Sequence, residues 1–224
     1  MRNISKEELN KILKEHELWL KGEGGKCADL SEVDLKGANL SNVDLSNADL
    51  KCADLKGAYL RKTNLNNVNL ENANLEYVDL GYANLENANL CNVNLRHSVL
   101  RDANLKNVRT NIHAIGYNLA CPEKGSFIGY KKANGCLIEL LILEDSKRSS
   151  ATTTKCRCDK AKVLEIRHIE TGKKVNSVCS NFDNTFIYKV GEIVSVDNFD
   201  DDRWHECSTG IHFFMNRENA LNYL

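Results

Sequence analysis

The sequence is poor in several residue types whose scarcity limits what the protein can be. Proline occurs once, at Pro122, and aromatic residues make up 7% of the 224-residue chain. The longest apolar run, residues 136–143, is interrupted by Glu139 and is too short for a membrane helix of ~20 residues. A net charge of −1 provides no general attraction to nucleic acid or to anionic membranes. We therefore expect no membrane association, and nucleic acid is disfavoured as a partner.

The sequence also lacks the marks of secretion and of cofactor binding. Residues 1–8 have neither the apolar core nor the small-residue cleavage site of a secretory signal. The nine cysteines, an odd number, are scattered without the spacing of a disulfide framework. Free thiols are typical of a reducing compartment. No phosphate-binding or dinucleotide-binding glycine motif occurs. These features predict a cytoplasmic protein without a cofactor.

A five-residue period dominates the first half of the chain. Leucine recurs at every fifth position from Leu30 to Leu105, sixteen times without interruption. A small residue precedes each leucine by two positions, and Asp or Asn lies between them in all but two repeats. This period fits neither an α-helix nor a plain strand. The apolar pair at spacing two predicts a short extended piece followed by a turn. Four such units would form a coil of twenty residues, and sixteen repeats would form four coils.

The segment ADLSEVDL, from Ala28 to Leu35, and its successors resemble the pentapeptide-repeat family, whose pattern is A(D/N)LXX. The resemblance implies a right-handed quadrilateral β-helix. We predict a mostly β protein with a β-helix of about four coils at residues 26–115. An N-terminal capping helix is expected at 1–25 and a C-terminal α+β domain at 116–224. The repeat is a scaffold, so the resemblance defines fold rather than function.

The N-terminal segment has the pattern of a helix that would cap the first coil. Ser5 and Glu8 form a capping box, and glycines at 22, 24 and 25 would end the helix. The apolar positions fall on one face, and we interpret His16 and Trp19 as packing residues rather than ligands. These apolar-face residues are Leu9, Ile12, Leu13, His16, Trp19 and Leu20.

The C-terminal segment predicts a separate α+β domain. Asn134-Gly135 lies between two apolar runs and indicates a type I′ hairpin. Further strands are predicted at 163–166, 186–190 and 193–196, with a short helix starting near Asn216. Segments 129–132, 155–158 and 210–214 resemble an uncharacterised C-terminal domain that accompanies pentapeptide repeats in bacterial and phage proteins. That resemblance implies no activity.

The outer surface of the repeats contains one aromatic cluster. Tyr59 and Val99 replace the usual Asp or Asn on either side of Asp79 in the coil stack. Aromatic residues clustered on a surface are typical of an interface. The alternative is that the N-terminal helix or the C-terminal domain covers them. Elsewhere the pattern predicts columns of alternating charge and an asparagine ladder at Asn47, Asn67, Asn87 and Asn107. The candidate interaction residues are Tyr59, Tyr77, Tyr82, His97 and Val99.

Two groups of residues could carry chemistry in the C-terminal domain. Four could bind zinc, although C-x-C is not the usual C-x₂₋₄-C knuckle and buried strand cysteines are the commoner explanation. A Cys–His nucleophile pair is a further option, but no nucleophile motif accompanies it. The zinc candidates are Cys156, Cys158, His205 and Cys207. The nucleophile candidates are Cys179, Cys207, His168, His205 and His212.

The leading functional hypothesis is a non-catalytic scaffold or protein-interaction protein. It would bind a protein partner, and a homodimer is left open. The first alternative is a DNA-mimicking topoisomerase (gyrase) inhibitor or protector, which would need a continuous negative face that this neutral repeat lacks. The second alternative is enzyme activity or zinc binding in the C-terminal domain.

Overall fold

The computed structural model describes residues 1–223, which form two compact units, residues 1–118 and 119–223. Among these described residues, no helix is both long and apolar enough to cross a membrane. The amino-terminal unit contains β1 (Arg2–Asn3), α1 (Lys6–Lys21) and β2 (Val33–Asp34). The other unit contains β3 (Phe127–Ala133), β4 (Cys136–Ile142), β5 (Arg148–Ser150), β6 (Lys155–Cys158), β7 (Lys160–His168), β8 (Ser177–Cys179), β9 (Ile187–Lys189), β10 (Ile193–Ser195), β11 (Ile211–Phe214) and α2 (Arg217–Asn222).

The repeats stack with the predicted period of twenty residues. Parallel bridges join each Asp or Asn position to the residue twenty positions later, from Asp29–Asp49 to Asn84–Asn104. The leucines from Leu30 to Leu100 are at most 3% exposed, so they form the core. Two residues after each of these leucines the backbone turns with a positive φ, between 56° and 67°. This left-handed region favours glycine and asparagine, which explains their frequency at these corners.

Hydrogen-bonded ladders of side chains run along the stack, but not where the sequence predicted them. At the predicted corner only one rung forms, from Asn67 to Asn47 at 3.3 Å, and within residues 1–223 Asn87 and Asn107 form none. The main ladders lie one residue before the leucines, with rungs of 2.9–3.2 Å. They run Asp44–Asn64–Asn84–Asn104, Asp49–Asn69–Asn89 and Asp54–Asn74–Asn94.

The side-chain chemistry of these ladders explains why Asp dominates the early coils and Asn the later ones. An ionised carboxylate only accepts hydrogen bonds, whereas an amide both donates and accepts. Asn74 donates to Asp54 at 3.0 Å and accepts from Asn94 at 3.2 Å. An acidic residue can therefore start a ladder, and amides are needed to continue it.

Helix α1 packs on the first coil as predicted. Ser5 caps it by accepting from the Glu8 amide at 3.1 Å, and Gly22 ends it with a φ of 71°. The buried His16 accepts at Nδ1 from the Ala28 amide at 3.0 Å and stacks on Trp19. His16 is thus a packing residue that connects the helix to the first repeat.

The carboxyl-terminal unit is built on a seven-stranded sheet with the order β10-β7-β4-β3-β11-β6-β5, and its paired strands are antiparallel. The predicted hairpin is confirmed, since Asn134 and Gly135 have φ values of 41° and 71° between β3 and β4. The predicted strands correspond to β7, β9 and β10, and Asn216 caps α2. Strands β8 and β9 form a separate pair.

Candidate functional site

The five predicted interaction residues lie on the outside of the solenoid, and we call them the aromatic surface. Tyr59 and Val99 each bridge to Asp79, which lies between them in the stack. Tyr59, Tyr77, Tyr82 and Val99 are 57%, 55%, 44% and 48% exposed. His97 is also exposed, and its ring stacks on that of Tyr77 with centroids 4.9 Å apart. Helix α1 therefore does not cover these side chains.

Basic side chains lie over the rings of the aromatic surface. The Lys56 ammonium lies 5.4 Å from the ring centroid of Tyr77, and the Arg61 guanidinium lies 4.7 Å from that of Tyr82. Arg61 also reaches Asp79 at 3.9 Å. These contacts orient the rings while leaving much of each ring accessible.

The backbone at the aromatic surface is unfavourable for the residues it carries. Tyr77, Tyr82 and His97 each have a φ of 60°, in the left-handed region. Such a conformation costs a bulky residue roughly 1–2 kcal/mol, whereas the equivalent corners at Gly57 and Asn87 have residues that tolerate it. The aromatic side chains are therefore placed at a local cost.

A second candidate site is a cleft of about 630 Å³ within the carboxyl-terminal unit. Strands β3 and β11 pair only at Tyr130–Phe214, and residues on both strands beyond this pair line the cleft. We call it the lysine cleft. The side chains that matter for its chemistry are Lys131, Lys132, Lys155, Phe182, Asp183, Cys207 and His212.

The lysines of the cleft have polar contacts but no carboxylate partner among the described residues. Lys155 is 6% exposed, and its Nζ lies 3.3 Å from both Cys207 Sγ and Tyr223 Oη. Lys131 Nζ donates to the His212 carbonyl at 3.4 Å, and Lys132 Nζ donates to the Leu221 carbonyl at 3.2 Å. Burial lowers the pKa of Lys131 to about 8. The cleft is therefore cationic near neutral pH.

His212 also belongs to the lysine cleft. Burial, reinforced by the nearby Lys155 and Lys131, lowers the pKa of His212 to about 4. Its imidazole is consequently neutral at physiological pH. The Nε2 atom is buried and has no hydrogen-bond partner within residues 1–223.

The four zinc candidates do not converge. Cys156 and Cys158 project from β6 into the buried core, and burial raises the pKa of Cys158. Cys207 is exposed beside Lys155, on the opposite side of β6, and His205 contacts Asp200 at 3.0 Å. Within residues 1–223 no group of three His, Cys, Asp or Glu side chains is placed to hold a metal.

The nucleophile candidates are also dispersed, with one exception. Cys179 contacts Asn134, and His168 accepts from the Thr171 amide at 3.4 Å. Cys207 and His212 do line the same cleft. Sequence reasoning missed the lysines there, although segments 129–132, 155–158 and 210–214 had been distinguished by their resemblance to a known domain.

Comparison with known proteins agrees with this division of the chain. Residues 28–67 and 69–107 match the family of pentapeptide repeats. A pentapeptide-repeat protein of solved structure from Nostoc PCC 7120 is 30% identical, over 45% of this chain and 80% of its own, with a TM-score of 0.32. The chain belongs to the pentapeptide-repeat family. Residues 117–220 of this pentapeptide-repeat protein match a family of unknown function, DUF5758. No curated protein sequence matches the chain.

Two further solved pentapeptide-repeat structures are similar to part of this one. HetL, from Nostoc sp. strain PCC 7120 and involved in heterocyst differentiation regulation, is 41% identical over 36% of this chain, with a TM-score of 0.35. A protein from the Arabidopsis thaliana thylakoid lumen is 28% identical over 36% of this chain, with a TM-score of 0.35. This pentapeptide-repeat protein spans only 38% and 56% of the lengths of those two relatives.

Proposed function

We propose that this protein is a non-catalytic, cytoplasmic interaction protein that binds a protein partner through the aromatic surface. The repeats, as a right-handed quadrilateral β-helix of four coils, would hold that surface rigidly. The observation that carries the proposal is the placement of large exposed rings at left-handed corners, notably Tyr77 and Tyr82.

The energetics of these corners support a role in binding. Asn is the most frequent residue at the corners of the solenoid because it tolerates a positive φ. Stacking and cation–π contacts such as those of Tyr77 contribute about 0.5–1.5 kcal/mol and 0.5–1 kcal/mol respectively, which about offsets the backbone cost. The rings thus add little net stability to the folded chain. Their exposed faces can contribute more when a partner buries them, because aromatic residues are enriched among interface hot spots.

The chemistry of the aromatic surface restricts the partner. Tyr77, Tyr82 and Val99 offer apolar area, and the neighbouring Lys56 and Arg61 are half-exposed cations whose acceptors can be shared. A protein with an apolar patch edged by carboxylates complements this arrangement. A second copy of the chain is the alternative occupant, and sedimentation analysis across a concentration series would distinguish a homodimer from a hetero-complex.

DNA mimicry with gyrase inhibition is the second candidate function, and the surface charges weigh against it. Mimicry needs a continuous row of unpaired negative charge, but acidic side chains of the solenoid are paired with basic ones. These pairs are Lys36–Asp54, Lys51–Glu71, Lys56–Glu76, Arg61–Asp79 and Lys106–Glu86, at 2.7–3.9 Å. Inhibition of gyrase supercoiling at low micromolar protein would favour mimicry over our proposal.

The interaction proposal is tested by comparing capture of host proteins on the immobilised wild-type chain and on a Tyr77→Asn/Tyr82→Asn variant. We expect a specific partner to bind the wild type and to be lost from the variant. The matched control is Glu32→Asn, which changes an exposed corner with a φ of 56° in another column of the solenoid. A partner retained equally by the double variant and the control would contradict a role for the aromatic surface.

A further inference from the structure

The lysine cleft has an excess of positive charge, and the proposed interaction function does not involve this cleft. Counting residues 1–223 alone, Lys131, Lys132 and Lys155 line the cleft together with one carboxylate, Asp183, so these side chains have a formal net charge of +2. Among the described residues these lysines form no ion pair. Lysine is rarely buried unless it is paired, yet Lys155 is 6% exposed. A ligand with two negative charges would neutralise the cleft.

The cleft is also lined by neutral polar groups, which indicate that its ligand has polar groups besides the anionic one. His212, whose imidazole is neutral at physiological pH, is one of the residues that line the cleft. Ser208 and Thr209 also line the cleft beside it. A ligand with hydroxyl groups next to its anionic group could therefore form hydrogen bonds in the cleft.

One side of the cleft is aromatic. Phe182 lines it and is 88% exposed, and Phe186 and Tyr188 also line it, with ring centroids 5.2 Å apart. An exposed ring beside cationic groups can stack on a flat ligand ring. The volume of about 630 Å³ lies within the range typical of small-molecule sites.

We propose that the lysine cleft binds a small phosphate monoester with a flat ring, of the size of a nucleoside monophosphate. Lys131 and Lys155 would hold the phosphate, and Phe182 would stack on the ring. A phosphate monoester carries close to two negative charges at neutral pH, which matches the charge of the cleft. This proposal does not depend on the aromatic surface, which lies in the other unit.

The test is a titration of the full-length, ¹⁵N-labelled protein with three probes, followed by NMR chemical-shift changes. The probes are AMP, adenosine without the phosphate, and ribose 5-phosphate without the ring. We expect AMP to bind at least about tenfold more tightly than either fragment, because the phosphate contact and the ring contact contribute together in AMP alone. Equal binding of adenosine would overturn the phosphate site, and equal binding of ribose 5-phosphate would overturn the ring site. No saturable binding of AMP would overturn both.

Variants separate the two halves of the site. Lys131→Met and Lys155→Met keep an aliphatic side chain, and each should weaken AMP and ribose 5-phosphate binding by about tenfold. Phe182→Ala removes a ring that is almost fully exposed, so it should leave the fold intact. It should weaken AMP binding while ribose 5-phosphate binding stays unchanged. The control Lys124→Met removes an exposed lysine of the same unit outside the cleft and should change binding less than about twofold. Equal losses in the control would contradict a defined site.

The pH dependence provides an independent readout. With a pKa of about 8, Lys131 is about nine-tenths protonated at pH 7 and about one-tenth protonated at pH 9, so its contribution to phosphate binding should fall by about tenfold. The Lys131→Met variant should lose this dependence. The measurement is made in a Cys207→Ser background to remove the thiol next to Lys155. The groups facing or influencing Lys131 are Cys158 and Lys155 from β6, Tyr188 from β9 and the backbone of His212 from β11. A pH profile unchanged in Lys131→Met would overturn the assignment of the phosphate to Lys131.

Discussion

The side-chain ladders of the solenoid can be tested by one isosteric change, Asn74→Asp. Asn74 Nδ2 donates to Asp54 Oδ1 at 3.0 Å, and Asn74 Oδ1 accepts from Asn94 at 3.2 Å. The substitution keeps the acceptor and the shape but replaces the donor with a carboxylate oxygen next to the buried Asp54. A hydrogen bond is lost and two like charges come together.

The expected cost follows from that geometry. Asp54 Oδ1 still accepts from the Lys56 amide at 3.1 Å, so the loss is that of one hydrogen bond to a charged group, about 1.5–3 kcal/mol. The repulsion is moderated because Lys36 contacts the other Asp54 oxygen at 3.0 Å. We expect the free energy of unfolding to fall by about 2 kcal/mol at pH 7, measured by urea denaturation and circular dichroism. Asn87→Asp is the control, because Asn87 is an exposed corner residue outside the main ladders.

The loss should depend on pH with a definite sign. The neighbouring carboxylate of Asp54 raises the pKa of the introduced carboxyl above its unfolded value. The folded variant therefore binds a proton more readily, and its protonated carboxyl can donate to Asp54 again. The stability deficit relative to wild type should be smallest at pH 4 and should grow as the pH rises through that raised pKa. A deficit at pH 7 no larger than that of Asn87→Asp, or one that does not shrink at pH 4, would refute the ladder argument.

Three further predictions concern packing. Leu70→Ala should cost about 2–5 kcal/mol by creating a cavity in the solenoid core, and calorimetry should show a lower Tm for that unit alone. Gly129→Ala should cost about 1–3 kcal/mol, because its Cβ would lie 2.6 Å from Cδ2 of the buried Phe213; an unchanged Tm would contradict this close packing. Burial lowers the pKa of His16, so wild-type stability should fall as the pH drops below about 6.5, where the unfolded imidazole takes up a proton. His16→Phe should reduce that dependence in urea titrations at pH 7.5 and 5, and an unchanged slope would argue against it.

The organisation of the solenoid could be predicted because its determinants are local and repeated. The leucine at every fifth position identifies the core, and the residue two positions later identifies the corner. The ladder position was predicted wrongly at Asn87 and Asn107. Sequence spacing indicates that residues stack, but only the direction of the side chain decides whether two amides meet.

The role of the aromatic surface in binding stays a prediction, whereas the structure shows the exposure and the contacts of its residues. Its clustering followed from the twenty-residue period, which places Tyr77 and His97 in the same column. The left-handed backbone of Tyr82 could have been inferred from the Asn and Gly residues at equivalent corners such as Gly57. The contacts of Lys56 and Arg61 with the rings depend on rotamers, which the repeat pattern does not specify.

The sequence by itself determined the repeat, its coil period, its buried leucines and the presence of a different carboxyl-terminal unit, because each depends on residues close together in the chain. Only the tertiary structure decided the lysine cleft. Lys131, Lys155 and His212 come from three strands separated by long stretches of sequence, and they meet because β3 and β11 pair at a single position and then separate. Non-local strand pairing of this kind depends on the packing of the whole sheet, so no local pattern reports it.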